Sequence, residues 1–306
     1  MRPVLLALLG LLAAATTRAE PLRITVIPIV DTLPVFLAVD AGLFAKRNLE
    51  VTLIPAANQT IVIGSLVSQS AEIGNSIAPS VLQAREAGID TVIVANAANL
   101  PYRQPMHVGV LARTGSGIKS AADLVGRKIA VLGTNGYHMV LTKRWLEEKG
   151  VDPSRVNWAE VGFAQMGDVL RAGQVDAVVS IDPFYNRIID SGVGYSFDNF
   201  VATVPDGALI DFYVAERSWA NAHRDTLKRF YDAVAEAEAL IKTDDAAARA
   251  SLAKWTRQPA DVIAHTSLPD FSMKLTGSQM KFWIDLMHHQ GLISEDYDPD
   301  SFIFKP

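Results

Sequence analysis

RITVIPIVDTLPVFLAVDAGLFAKRNLEVTL, residues 23–53, holds in miniature the plan of the chain. Ile24, Val26, Ile27, Ile29 and Val30 give a β-branched run that reads as a buried strand. Asp31 and Thr32 then supply N-cap chemistry, and Pro34 falls where a first-turn proline is tolerated. Val35, Phe36, Val39, Leu43 and Phe44 recur at helical spacing, and Glu50 to Ile54 reads as a second strand. Strand, short polar turn, helix and strand form the opening unit of an open α/β sheet. Such sheets take ligands outside the carboxyl ends of their strands, so Thr32 and Leu33, in the first such turn, are expected to line a site.

The alternation continues outward from there. Asn58 is placed to cap a helix reaching Gln69, Glu72–Asn75 reads as a short strand, Pro79 opens a helix ending near Gly88, and Thr91–Ala95 is a strand. The pattern breaks around Asn96–Pro105 into a turn-rich stretch suited to a lobe boundary. Strands are then expected at His107–Ala112, Lys128–Leu132, Val156–Val161 and Val175–Ile181, and helices at Tyr137–Lys149, Ala164–Ala172 and Pro183 to near Asp190. Ser120 and Asp123 form a capping-box-like start between them. After a second loose stretch, Phe197–Gly207, a strand returns at Ala208–Ala215. The remainder reads as helices, Ala222–Lys242, Ala246–Trp255 and Gly277–Gly291, that complete the first lobe. The loose stretches bracket about 100 residues, a typical domain size. Two crossings between lobes make a hinge, and a hinge permits closure around a ligand. The expected division is lobe I from 20–104 with 206–306, and lobe II from 105–205.

Bulk properties narrow the role. Arg2, the apolar run Val4–Ala15 and the small-x-small triplet Thr17-Arg18-Ala19 read as a cleavable signal peptide over 1–19. That run is too short to span a bilayer, which takes about 20 apolar residues. The 306 residues contain no cysteine, which excludes thiol nucleophiles, thiolate zinc sites, iron–sulfur clusters and a lipid-modified cysteine anchor. Lysine and arginine number 28 against 33 acids, a net charge of −5, which argues against nucleic acid or an anionic membrane as the main partner. The expectation is a free soluble periplasmic protein with no cofactor and no metal.

The candidate contacts lie on turns at strand ends. Asn58, Gln59 and Thr60 open one helix, where their plain role is capping. Asn75 and Ser76 end a short strand, and Asn96 either faces the cleft or satisfies hinge backbone. Gly133-Thr134-Asn135-Gly136-Tyr137 joins a strand to a helix, presenting main-chain amides and a positive dipole end suited to a carboxylate, sulfonate or phosphate. Asp182-Pro183-Phe184 and Asp211-Phe212 are acidic–aromatic pairs. If either acid faces the cleft, an amine or protonated heterocycle becomes the cargo; Asp182 equally serves as a helix cap. Phe36, Tyr102, Phe163, Phe184 and Phe212 are available to stack on a flat ligand.

Other patterns fail on inspection. Gly74-Asn-Ser76-Ile-Ala78 approximates a hydrolase nucleophile elbow, with Ala in the last place and no oxyanion-hole motif before it. His288 and His289 are adjacent and diverge on a helix, and Gly115–Ser120 lacks the spacing of a phosphate-binding nucleotide loop.

Taken in order, Pro34–Ala38, AGLF (41–44), NLEV (48–51), AEIGNS (71–76), SAADLVGRKIAV (120–131) and RAGQVDAVVSIDPF (171–184) resemble the solute-binding proteins of bacterial ABC importers. The nearest branch holds the sulfonate, taurine, nitrate and thiamine-precursor binders. The resemblance implies a type II periplasmic-binding-protein fold, each lobe a mixed sheet flanked by helices, with a two-strand hinge. It implies a monomer that captures a small organic anion and delivers it to an inner-membrane permease with its ATPase. A pyrimidine precursor or an aromatic acid is the other cargo. A secreted hydrolase using Ser76 and a sensor module are the rivals of other classes. Pyrimidine-synthesising proteins of the same fold carry a cysteine-rich motif that this chain lacks.

Overall fold

The structure is a computed structural model that describes residues 18–99, 108–198 and 200–305. Most of the expected signal segment, with Tyr102 and the centre of the first loose stretch, lies outside the described residues.

Two mixed sheets carry the fold. The six-stranded sheet uses β1 (Glu20–Val26), β2 (Leu49–Pro55), β3 (Ile73–Ser76), β4 (Thr91–Asn99), β10 (Leu209–Glu216) and β11 (Asp270–Phe271), in the order β11-β4-β10-β3-β1-β2. The five-stranded sheet uses β5 (Val108–Arg113), β6 (Lys128–Val131), β7 (Asn157–Glu160), β8 (Ala177–Ile181) and β9 (Gly194–Asp198), in the order β7-β6-β8-β5-β9. The strands β1, β2 and β3 pair in parallel, whereas β10 runs antiparallel between β3 and β4. The chain therefore leaves the first sheet after β4, builds the whole second sheet, and re-enters the first through β10.

Helices α1 (Leu33–Asp40), α2 (Gln59–Val67) and α3 (Ala78–Glu86) connect the strands of the first sheet. In the second, α4 (Tyr137–Glu148), α5 (Phe163–Arg171) and α6 (Phe184–Asp190) do so. The chain ends in α7 (Arg217–Ala222), α8 (Arg224–Thr243), α9 (Asp245–Thr256), α10 (Ala260–Ala264) and α11 (Ser278–His289). These terminal helices pack back on the first half: Phe36 of α1 stacks on Trp255 of α9 at 5.4 Å, and Phe44 on Phe230 of α8 at 5.8 Å. Among the described residues, no helix is long and apolar enough to cross a membrane.

Four local expectations change. β1 stops at Val26 rather than running on to Val30, because Pro28 has no N–H to donate to a ladder. Thr32 stands at the N-cap position of α1 but does not cap it with its side chain; Val30–Thr32 forms a tight 3-10 turn, and the Thr32 hydroxyl donates back to the Ile27 carbonyl at 2.8 Å. β4 runs on through Asn99, so Asn96 sits within a strand, because β10 and β11 pair with both of its edges. β9, GYSFD, was hidden in the sequence as a polar strand that pairs with β5 at the edge of the sheet.

Candidate functional site

A cavity of about 540 Å³ opens between the two sheets, within the size range of small-molecule sites. Its first wall comes from α2 and α3, its second from the β6–α4 turn and the end of β7. Asn58 stands in extended conformation before α2, and its Oδ1 accepts from the Ile61 amide at 3.1 Å, the expected cap. Across the cavity, Asn135 adopts a left-handed φ of 59°, which asparagine tolerates. Gly136 then stands at the N-cap of α4, so the start of this helix, with its orphan N–H groups and positive dipole end, belongs to the cavity lining.

Glu160, at the end of β7, ties the walls together. Its Oε1 accepts from Asn58 Nδ2 at 3.3 Å and its Oε2 from the Thr134 amide at 3.4 Å. Gln83 of α3 adds a second link, donating to the Asn135 carbonyl at 2.8 Å. The structure thus has the two halves in contact around the cavity. Outward along α2 and α3 the lining turns apolar, with Ile63, Val67, Ala84, Ala87 and Ile89. Val67 is 56% exposed, a large aliphatic side chain left to solvent at the cavity rim.

Of the sequence-derived candidates, Asn58, Gln59, Thr134, Gly136 and Tyr137 meet on this lining, and Asn135 reaches its edge through the carbonyl held by Gln83. Behind the lining lies a buried polar layer. Ser76 is fully buried and donates to Gln59 Oε1 at 3.1 Å, which leaves no exposed nucleophile at the elbow-like motif. Asn75 donates to Asp211, and the buried Thr32 hydroxyl lies 3.4 Å from Asn75 Oδ1. Burial first, then the nearby Asp31 carboxylate, pushes the Asp211 carboxyl well above the usual range. Burial also raises the Tyr137 phenol and lowers the His138 imidazole to about 3, so His138 is neutral beside the cavity.

The remaining candidates are placed elsewhere. Leu33 is fully buried in the first turn of α1. Asn96 donates to the Ser272 and Lys274 carbonyls at 2.7 and 3.0 Å, so it holds backbone of the C-terminal segment. Asp182 takes the helix-cap reading rather than the ligand one: it stands one residue before Pro183, which holds the N-cap position of α6, and its Oδ1 accepts from the first-turn Asn186 amide at 3.4 Å while its Oδ2 accepts from the Ser267 amide at 2.9 Å. Phe184 stacks on Phe163 at 5.8 Å, and Phe212 is buried in β10 opposite Ser76; neither lines the cavity.

Glu160, Gln83 and the apolar wall were not singled out by sequence. One signal was present: QTIVIGSLV has apolar residues around most of its helix, more than one core-facing stripe needs. Val62 and Leu66 take the core, which leaves Ile63 and Val67 for the cavity.

Residues 30–248 match the NMT1/THI5 like family. The chain is 31% identical over 144 residues to a formylaminopyrimidine-binding protein from Halalkalibacterium halodurans, an alignment covering 47% of this chain and 42% of that one. A protein of Escherichia coli named for binding aliphatic sulfonates is 26% identical over 322 aligned positions, spanning 98% of this chain and 96% of its own. Among solved structures, the alkanesulfonate-binding protein SsuA from Xanthomonas axonopodis pv. citri, bound to MOPS, superimposes with a TM-score of 0.80 at 21% identity, covering 93% of this chain and 98% of that one.

Proposed function

Since the chain belongs to the NMT1/THI5-like family and has the two-lobed α/β fold of periplasmic binding proteins, we propose that it is the extracytoplasmic solute-binding component of an ABC importer. On this reading 1–19 is a signal peptide removed on export, and 20–104 with 206–306 forms one lobe around a second of 105–205. The cargo passes to an inner-membrane permease whose ATPase drives release. The protein itself performs no chemistry, in keeping with the burial of Ser76.

The observation that carries this reading is the cavity itself: the starts of α2 and α4, one from each half, face each other across a single hollow with an apolar extension. Helix starts offer N–H groups and positive dipole ends to an anionic head group. The aliphatic wall suits a short carbon chain or ring. A small organic anion of sulfonate, taurine or nitrate type fits that arrangement.

One observation favours a second cargo. Glu160 already occupies the Thr134 amide and the Asn58 side chain. A solute that brings its own N–H donors, such as an aminopyrimidine, meets an acceptor there rather than a competitor. A thermal-shift screen over sulfonates, amino-sulfonates, aromatic acids and pyrimidines separates the two. A cargo at a hundred times its Kd should stabilise the fold by about 2.7 kcal/mol and be recovered unchanged. Conversion of the stabilising compound to product would sink the receptor reading in favour of an enzyme. Uptake by the permease, rather than signalling through a membrane regulator, is tested by counterflow in vesicles carrying the transporter.

A further inference from the structure

Among the described residues that line the cavity, Glu160 is the sole carboxylate, and no lysine or arginine stands with it. Two neutral donors from opposite walls hold it instead: Asn58 Nδ2, on the residue that caps α2, and the Thr134 amide, in the β6–α4 turn. Its own strand, β7, belongs to the five-stranded sheet, so the side chain reaches across the hollow to meet Asn58.

Both bonds are long. At 3.3 and 3.4 Å they fall outside the usual N–H···O range of about 2.7–3.2 Å. Carboxylates that cap local turns in the same chain sit closer. Asp123 accepts from the Lys119 and Ser120 amides at 3.0 Å each, and Asp152 from the Ser154 amide at 2.8 Å. Glu160 and Thr134 are both exposed, so the glutamate has water to swing into. Among the described residues neither donor has another acceptor, and departure of Glu160 frees two N–H groups that converge on one carboxylate. A sulfonate or a free carboxylate offers such donors the same thing, oxygens that share a negative charge. The cavity therefore holds a two-donor anion seat, filled by the chain's own side chain at the effective concentration its tether sets.

We propose that Glu160 is an internal substitute for the anionic group of the solute: an incoming oxyanion takes the Asn58 side chain and the Thr134 amide, and the glutamate leaves for solvent. This rests on the receptor reading and makes Glu160 the residue that sets its threshold for anions. A solute displaces it only when its oxygens bind the two donors more closely than the glutamate does. Because one donor comes from each wall, the solute then makes the link between the halves that Glu160 made before.

The test uses sodium acetate, the side chain's own carboxylate without its tether, on the full chain, with sodium chloride at equal ionic strength as control. Nitrogen-15 NMR follows the Thr134 amide. In Glu160→Ala acetate should shift that amide, with a Kd about tenfold or more below that in the wild type. Adding Asn58→Ser keeps a capping oxygen but removes the Nδ2 donor, and should cancel most of the gain. Circular-dichroism melting checks folding; should Glu160→Ala fail to fold, Glu160→Gln, which keeps the volume and loses the charge, should still bind acetate more tightly than the wild type. A Thr134 amide that acetate leaves unmoved in the variant, or equal acetate affinity with and without Glu160, overturns the substitute. So does 4-amino-2-methylpyrimidine bound by the wild type and lost in Glu160→Ala, since the glutamate would then stay and accept from the solute. None of these outcomes touches the receptor reading, which the thermal-shift screen judges separately.

Discussion

Two turns leave the same edge of the five-stranded sheet and meet opposite fates. The turn from β6 to α4, residues 132–136, opens onto the cavity, with Gln83 donating to the Asn135 carbonyl from across it. The turn from β8 to α6, at Asp182 and Pro183, is sealed. Asp182 is 1% exposed and accepts from Ser267, while Asn186 donates to the His265 carbonyl at 3.1 Å. Locally both are buried strand, short turn and helix. What separates them is the segment after α10, which covers one turn and leaves the other free. A strand-end turn marks where an opening can exist; a distant part of the chain determines whether it does.

That contrast can be broken in order of expected effect. A Cβ at Gly133 would meet nothing within 4 Å, so Gly133→Phe should fold normally while its ring fills the cavity. Ligand affinity in calorimetry should drop by roughly 100-fold, about 2.7 kcal/mol, with melting unchanged in the absence of ligand. Unimpaired binding would show that the open turn is not the site.

Asp182→Ala tests the sealed turn. It strips the acceptor from one buried and one half-buried amide, and urea unfolding should register a loss of about 2–3 kcal/mol. A ligand affinity that fell as far as the stability would place this turn in the site after all.

His138, just past the open turn, gives the contrast a pH signature. Its folded pKa of about 3 lies below its unfolded value, so the unfolded chain binds the proton first as pH falls. Stability from this group is complete above about 6.5 and is lost as pH drops toward about 3. Between pH 7 and pH 5 that amounts to roughly 2 kcal/mol. His138→Phe should flatten this part of the stability profile, and an unchanged acid limb would assign the sensitivity to other groups.

The smallest effect belongs to Asn58→Ala. Removing the cap of α2 should lower stability by about 1 kcal/mol in thermal denaturation, with no loss at all arguing that water replaces the cap fully.

How far the sequence revealed this molecule follows from the same contrast. Local signals were sufficient for most elements: the Asn58 cap, the capping box at Ser120 and Asp123, and the helix from Tyr137 all appear as read. Signals failed where pairing is remote. The continuation of β4 past Ala95 depends on β10 and β11, and the polar strand β9 depends on β5. Within the site, turn residues carried a readable signature, but Glu160 sits at the end of a strand with none, and its importance comes from Asn58 and Thr134 arriving opposite it. Phe184 and Phe212 show the reverse: aromatic next to acid looked like a ligand shelf, and both rings are packing.

The placement of β10 between β3 and β4 also sets an order of assembly. As a nascent chain lengthens from its amino end, the strands of the five-stranded sheet, all within residues 108–198, are present before residue 209 emerges. Until then β3 and β4 each keep an unfilled edge, open to mispairing with another chain. The half that starts first is thus the half that finishes last, and a chaperone guarding this protein has most to protect in the interval before Glu216 is in place.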